Sequence, residues 1–286
     1  MSSSIEQLEK IALKALKKAY QVHQELGASG EKLIQKNQFG ETALKVDIEA
    51  EKAVIDVFRD IKVPIRIISE EHGTTQIGKN PVYLGILDGL DGTCVYKKAR
   101  GKGRYCTMLG IFSNLDPKYD DYIFSGVMEH STRRLFCATK DNGSFIQVNE
   151  KTTQIKCSNC GKLDKNTKIY ADENFDRVLN TTLIYDTFLS KLEKYTLLHE
   201  DASAVHYVDL GQGDADLVLE CTRKGNLEIA IAYGLVTESK GAIVALDGTS
   251  LGPKRYLEFG QDKYLPVISA STIELAKELI KHLSEN

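Results

Sequence analysis

The stretch Val82–Ile111, VYLGILDGLDGTCVYKKARGKGRYCTMLGI, decides how the rest of the chain is read. It opens with an uninterrupted apolar run, Val82 to Leu87, the pattern of a buried strand. The run gives way to Asp88-Gly89-Leu90-Asp91-Gly92-Thr93. Two carboxylates three positions apart, separated by glycine, thus stand where a buried strand reaches the surface. Glycine permits a tight bend and lets backbone N–H groups approach a ligand closely. Thr93 is placed to open a short helical turn whose free N–H groups attract an anion. Carboxylates beside an anion repel it unless a divalent cation lies between them, which points to a metal-bridged phosphate site. Asp-Gly is also a strong hairpin signal, and this stretch alone leaves both readings open.

Upstream, the isoleucine-rich run Ile65 to Ser69 predicts a second buried strand, and it ends in Glu70-Glu71-His72-Gly73. Two strands releasing acids at one edge of a sheet would build a multi-oxygen cation site. Oxygen donors favour Mg²⁺, Mn²⁺ or Ca²⁺ over zinc. His72 and Glu71 read as supporting or surface residues rather than ligands. Ala43 to Ile61 predicts a helix with Ala50, Ala53, Val54, Val57 and Phe58 on its core face. Asp47 lies near its start, where a helix cap is the plain alternative to a functional role. Residues 4–26 form an amphipathic helix, and Gly27 to Gly40 a loop or hairpin.

Downstream, strands are expected at Tyr105–Phe112, Tyr122–Glu129 and Leu135–Thr139, with Asn142-Gly143 turning into Ser144–Val148. The polar, aperiodic segment Asn149 to Asn166 predicts a boundary, dividing the chain into an N-terminal subdomain (1–155) with the metal site and a C-terminal α/β subdomain (156–286). Strands are expected at 167–171, 195–198, 215–221, 242–246 and 265–269. Helices are expected at 176–194, 202–211, 227–240 and 272–283. This alternation argues an α/β class.

A formal net charge of -3 and 27% charged residues give no general affinity for nucleic acid. No apolar run approaches the ~18 residues of a membrane span, and the N-terminus lacks a signal-peptide pattern. Of six cysteines, only Cys157 and Cys160 form a C-x-x-C, and no second pair completes a zinc site. Reduced thiols and a cytoplasmic location are expected.

The ordered set Asp47, Glu70-Glu71, Asp88-x-x-Asp91-Gly92-Thr93 and a late Glu228 opening a helix resembles the inositol monophosphatase superfamily. That group comprises lithium-sensitive, magnesium-dependent sugar and nucleotide phosphatases and includes fructose-1,6-bisphosphatases. The spacing agrees along nearly the whole chain, including Asp216-x-x-x-Glu220. Two positions depart from the family pattern: Gly89 stands where proline is usual, which is expected to loosen the loop, and Leu227-Glu228 replaces Trp-Asp. The resemblance implies a five-layer α/β/α/β/α sandwich and a homodimer. It also implies two or three Mg²⁺ per site, with Mn²⁺ able to substitute. Glu70, Asp88 and the Leu90 carbonyl would hold one ion; Asp88, Asp91 and Glu228 a second. Thr93, hydrogen-bonded to Asp47, would orient and deprotonate the attacking water. Gly92 and Thr93 would receive phosphate, and Ser203 and Glu220 would face substrate hydroxyls.

A haloacid-dehalogenase-type site is excluded because its acids are two apart, not three. No Gly-rich nucleotide loop occurs in a strand-turn-helix context. The expected activity is hydrolysis of a phosphate monoester of a small sugar or polyol, inositol 1-phosphate or fructose 1,6-bisphosphate. A 3′-phosphoadenosine 5′-phosphate phosphatase, or a metal- and phosphate-binding relative without turnover, is the alternative.

Overall fold

A computed structural model describes residues 2–171, 192, 194–200, 202–261 and 263–284. Helix α1 (Ser2–Leu26) is followed by a small hairpin, β1 (Leu33–Lys36) and β2 (Thr42–Leu44), and then α2 (Lys45–Ile61). Next come β3 (Ile65–Ser69), β4 (Gly73–Ile77), β5 (Tyr83–Asp91), the short helix α3 (Thr93–Ala99) and β6 (Cys106–Phe112). Strands β7 (Tyr122–Glu129), β8 (Arg134–Thr139), β9 (Gly143–Val148) and β10 (Lys151–Ile155) complete an eight-stranded sheet of order β10-β9-β8-β7-β6-β5-β3-β4.

The rest of the chain supplies β11 (Lys168–Ala171), β12 (Thr196–Leu198), α4 (Ser203–Gln212), β13 (Leu217–Cys221), α5 (Leu227–Glu238), β14 (Ala242–Ala245), β15 (Pro266–Ala270) and α6 (Ile273–Ser284). Its five strands form a second sheet, ordered β12-β11-β13-β15-β14. The core then sorts into layers. Ala12, Leu16, Val54 and Phe58 of α1 and α2 pack on Ile65, Ile67 and Leu87 of the first sheet. On its other face, Leu84, Ile86 and Met108 meet Val205 and Val208 of α4 and Ile231 and Leu235 of α5. Leu275 and Leu279 of α6 cover the far side of the second sheet through Ile169, Leu217 and Ile268. The expected five-layer α/β/α/β/α arrangement follows. It also explains α5, which is buried all round because both its neighbours are sheets.

β3 and β5 run parallel, with Ser69 opposite Leu87. Glu70, which follows β3, and Asp88, the next residue of β5, therefore come side by side. β5 is apolar from Tyr83 to Leu87 because helices cover both of its faces.

Several boundaries differ from the sequence reading. β5 does not stop at Asp88 but continues through a bulge to Asp91. α2 begins at Lys45, since Leu44 still pairs with Leu33 in the hairpin. The polar segment after Asn149 contains β10, an edge strand with only Ile155 buried, so burial left almost no apolar signal. Most of the helix expected at 176–194 lies outside the described residues. All six cysteines are free thiols.

Candidate active site

Each acid reaches the site by a local rule. Glu70 follows β3, Asp88 and Asp91 bracket the β5 bulge, Asp47 occupies the first turn of α2, and Glu228 the first turn of α5. Oxygens of Asp88, Asp91 and Glu228 all lie within 4.8 Å of one another. A cavity of about 300 Å³ opens beside them, walled by Asp47, Glu70, Glu71, Asp88, Leu90 and Thr93.

Burial and mutual repulsion set the electrostatics. Burial, then the charges of Glu70, Asp91 and Glu228, hold the Asp88 carboxyl well above the usual carboxylate range. Burial, followed by Glu71, Glu70 and Glu51, pushes Asp47 up to about 8. One Asp47 oxygen, Oδ2, accepts the Leu44 N–H at 2.7 Å and caps α2. The other, Oδ1, is buried with no hydrogen-bond partner among the described residues. Crowded buried carboxylates and an orphaned acceptor are what a hard divalent cation would relieve, so the donor set fits Mg²⁺ or Mn²⁺.

The turn into α3 is tight. Gly92 has φ +91°, a left-handed conformation that favours glycine. Thr93 Oγ1 donates to the Leu90 carbonyl at 3.2 Å. The expected Thr93–Asp47 hydrogen bond is therefore not formed, because the hydroxyl takes the carbonyl one turn back. Asp91 Oδ2 instead accepts the N–H of Ala204 at the start of α4.

Gly89 corrects a second expectation. A Cβ built there would lie 2.6 Å from the Asp47 carbonyl and 2.8 Å from Glu51 Cγ. The loop is pressed against α2, not loosened; glycine here serves close approach rather than mobility.

Glu228 enters α5 through Gly225 (φ +69°) and Asn226 (φ +56°). Asn226 occupies the N-cap position, but its amide donates to the Tyr119 hydroxyl instead of capping the helix. Ser203 and Glu220 lie outside the cavity wall. Ser203 Oγ accepts from Arg223 Nη2 at 3.0 Å. Glu220 accepts the Tyr207 hydroxyl and lies 3.6 Å from Arg223.

Residues that sequence reasoning missed hold these acids in place. Asn37 Nδ2 donates to Glu70 Oε1 at 3.0 Å and Glu71 Oε1 at 3.2 Å. Buried Glu51 accepts the N–H groups of Glu71 and His72 and pairs with His72 Nδ1 at 2.8 Å. Glu51 follows Asp47 by one helical turn, a spacing that marks a shared face. Asn37 carries no such signal.

A five-layer fold that gathers carboxylates from separate elements beside a cavity has the arrangement of a metal-dependent phosphatase. The chain belongs to the inositol monophosphatase family, whose sequence profile matches residues 2–286. Membership implies a metal-dependent phosphatase. Solved structures of similar fold include an inositol monophosphatase of Thermotoga maritima, at 18% identity, with 96% of each chain covered and a TM-score of 0.73. The extragenic suppressor protein SuhB of Bartonella henselae is similar at 16% identity over 97% of this chain and 98% of that one, with a TM-score of 0.76. A gene product described as an inositol monophosphatase–fructose 1,6-bisphosphatase shares 17% identity over 96% and 98% of the two chains, at a TM-score of 0.72. None of the curated protein sequences compared with this chain matched it significantly.

Proposed function

We propose that the protein hydrolyses the phosphate monoester of a small sugar or polyol in a Mg²⁺-dependent reaction. The observation that carries this reading is the convergence of Asp88, Asp91 and Glu228 within 4.8 Å, beside a cavity that Asp47, Glu70 and Thr93 also line. Glu70, Asp88 and the Leu90 carbonyl would hold one cation, and Asp88, Asp91 and Glu228 another. Such ions supply acidity to a nearby water and positive charge to phosphoryl oxygens.

The chain's own groups do the rest. The bare Oδ1 of Asp47 is an acceptor for a proton of the attacking water. Thr93 Oγ1 lies on the same wall to orient that water. The backbone N–H groups of Gly92 and Thr93 open α3 towards a phosphate. Ser203 and Glu220, with Arg223, would meet the remainder of the substrate.

Phosphate release from a panel of inositol, sugar and nucleotide monoesters, with and without Mg²⁺, tests the reading. Sugar or polyol esters should give the highest kcat/KM. Activity should vanish with a chelator, fall with Li⁺, and return with Mg²⁺ or Mn²⁺. Full activity in excess chelator would overturn the proposal; cation binding without turnover of any ester would leave a binding protein.

A further inference from the structure

The Asp88–Asp91 segment is gripped by residues that do not line the cavity. β5 and β6 pair Asp88 with Met108 and Asp91 with Cys106, so three steps on one strand face two on the other. A bulge of this kind leaves backbone groups without their ladder partners, and a buried carbonyl must then find a donor elsewhere. Thr107, on β6 opposite the bulge, provides one: its Oγ1 donates to the Gly89 carbonyl at 2.7 Å. His23 Nε2, from α1, reaches the same carbonyl at 3.2 Å. His130 Nε2, just beyond β7, lies 2.9 Å from Thr107 Oγ1.

The proton positions follow from the partners. A carbonyl oxygen only accepts, so His23 carries its hydrogen on Nε2. Thr107 has one hydroxyl hydrogen, already donated to Gly89, so His130 Nε2 must donate to Thr107. Both Nδ1 atoms are then bare, and both are buried with no partner among the described residues. The two rings stack with centroids 3.6 Å apart. Burial holds both below the ordinary histidine range, His23 at about 4. A stacked pair of neutral imidazoles thus holds one hydroxyl and one carbonyl in place.

We infer that His23, Thr107 and His130 are positioning residues for the candidate cation site. None of the three lines the cavity. By clamping the Gly89 carbonyl they fix the peptide between Asp88 and Leu90, and so the direction in which both carboxylates and the Leu90 carbonyl face. The space that a Cβ on Gly89 would need is taken by the Asp47 carbonyl and Glu51, which confines the same residue further. This inference rests on the cation-site reading above.

The test is calorimetric Mg²⁺ binding to the full chain, alongside its melting temperature in chelator. Thr107→Val keeps the shape and removes the hydroxyl, and should weaken Mg²⁺ binding by about 10–100-fold, the usual effect of losing a hydrogen bond behind a metal ligand. Thr107→Ser restores the hydroxyl and should return the affinity to within about threefold of wild type. A merely structural role would lower the melting temperature in chelator while leaving the affinity of the folded protein unchanged. Wild-type affinity in Thr107→Val overturns the inference. Should that variant not fold, His23→Met, which removes the donor, is compared with His23→Gln, which keeps an N–H. Equal Mg²⁺ affinities in that pair overturn the inference; weak binding by Met that Gln restores supports it. Absence of Mg²⁺ binding by the wild type overturns the cation site itself, which separates the two failures.

Discussion

The Asp91 carboxylate accepts the backbone N–H of Ala204 at 2.6 Å, across 113 residues of sequence. One acid of the candidate site is therefore also the anchor of α4, and through α4 of the second sheet. Loss of a side chain in this site has consequences for both chemistry and packing, and each variant must be chosen to separate them.

Asp47 offers such a separation, because its two oxygens do different things. Asp47→Asn keeps an oxygen to cap Leu44 but loses the proton acceptor. Its kcat should fall by about 10²–10⁴-fold, with the melting temperature in chelator close to wild type, since the amide oxygen still caps Leu44. Asp47→Ala should add a stability cost of about 0.5–2 kcal/mol from the lost cap. Steady-state kinetics with parallel melting curves check both; an active Asp47→Asn would reduce the residue to a cap.

Glu228 departs from the family residue yet reaches Asp88 and Asp91. Glu228→Gln should lower kcat and raise the Mg²⁺ concentration for half-maximal rate at least roughly tenfold, equivalent to about 1.4 kcal/mol. Glu228→Asp, which shortens the reach, should fall between. Superimposable Mg²⁺ titrations of the three forms would mean that Glu228 only complements the helix dipole.

Gly89 cannot accept the proline usual in the family, nor any side chain, without moving α2. Gly89→Ala should destabilise the protein by about 1–3 kcal/mol, the range for forcing a methyl into a packed interior. Chemical denaturation reads this directly, and a neutral substitution would show that the contact with Asp47 yields easily.

His23 predicts a pH dependence. Its folded value, about 4, lies below the ordinary 6.5, so the unfolded chain takes up its proton first as pH falls. The neutral ring's contribution is fully present above 6.5 and is lost between 6.5 and 4, by on the order of 3 kcal/mol. The raised carboxyls Asp47 and Asp88 act with opposite sign. The histidine is therefore read from the difference between wild type and His23→Met in chelator. That difference should narrow as pH falls through this window; a constant offset would refute the assignment.

Much of the frame is legible along the chain. The apolar run of β5, the isoleucines of β3 and the periodicity of α1 and α2 are local signals, because burial on one or both faces imposes them residue by residue. The acids that follow those runs are legible for the same reason, since each breaks an apolar pattern. Even the departure at Glu228 is visible, since the Gly225-Asn226 turn announces the helix it opens.

Other features depend on partners far apart in sequence. Whether Thr93 would reach Asp47 or the Leu90 carbonyl depended on the pitch of the turn. Whether Gly89 would be loose or clamped depended on α2, on Thr107 and on two histidines, one on α1 and one just beyond β7. Asn37 could be tied to Glu70 only once the hairpin had folded beside β3. The sequence by itself determined which runs would be buried and where acids would interrupt them, because those follow from local hydrophobic pattern. Only the tertiary structure decided which donor satisfies each buried acceptor, because a bulge and a close helix contact bring together atoms that no local pattern relates.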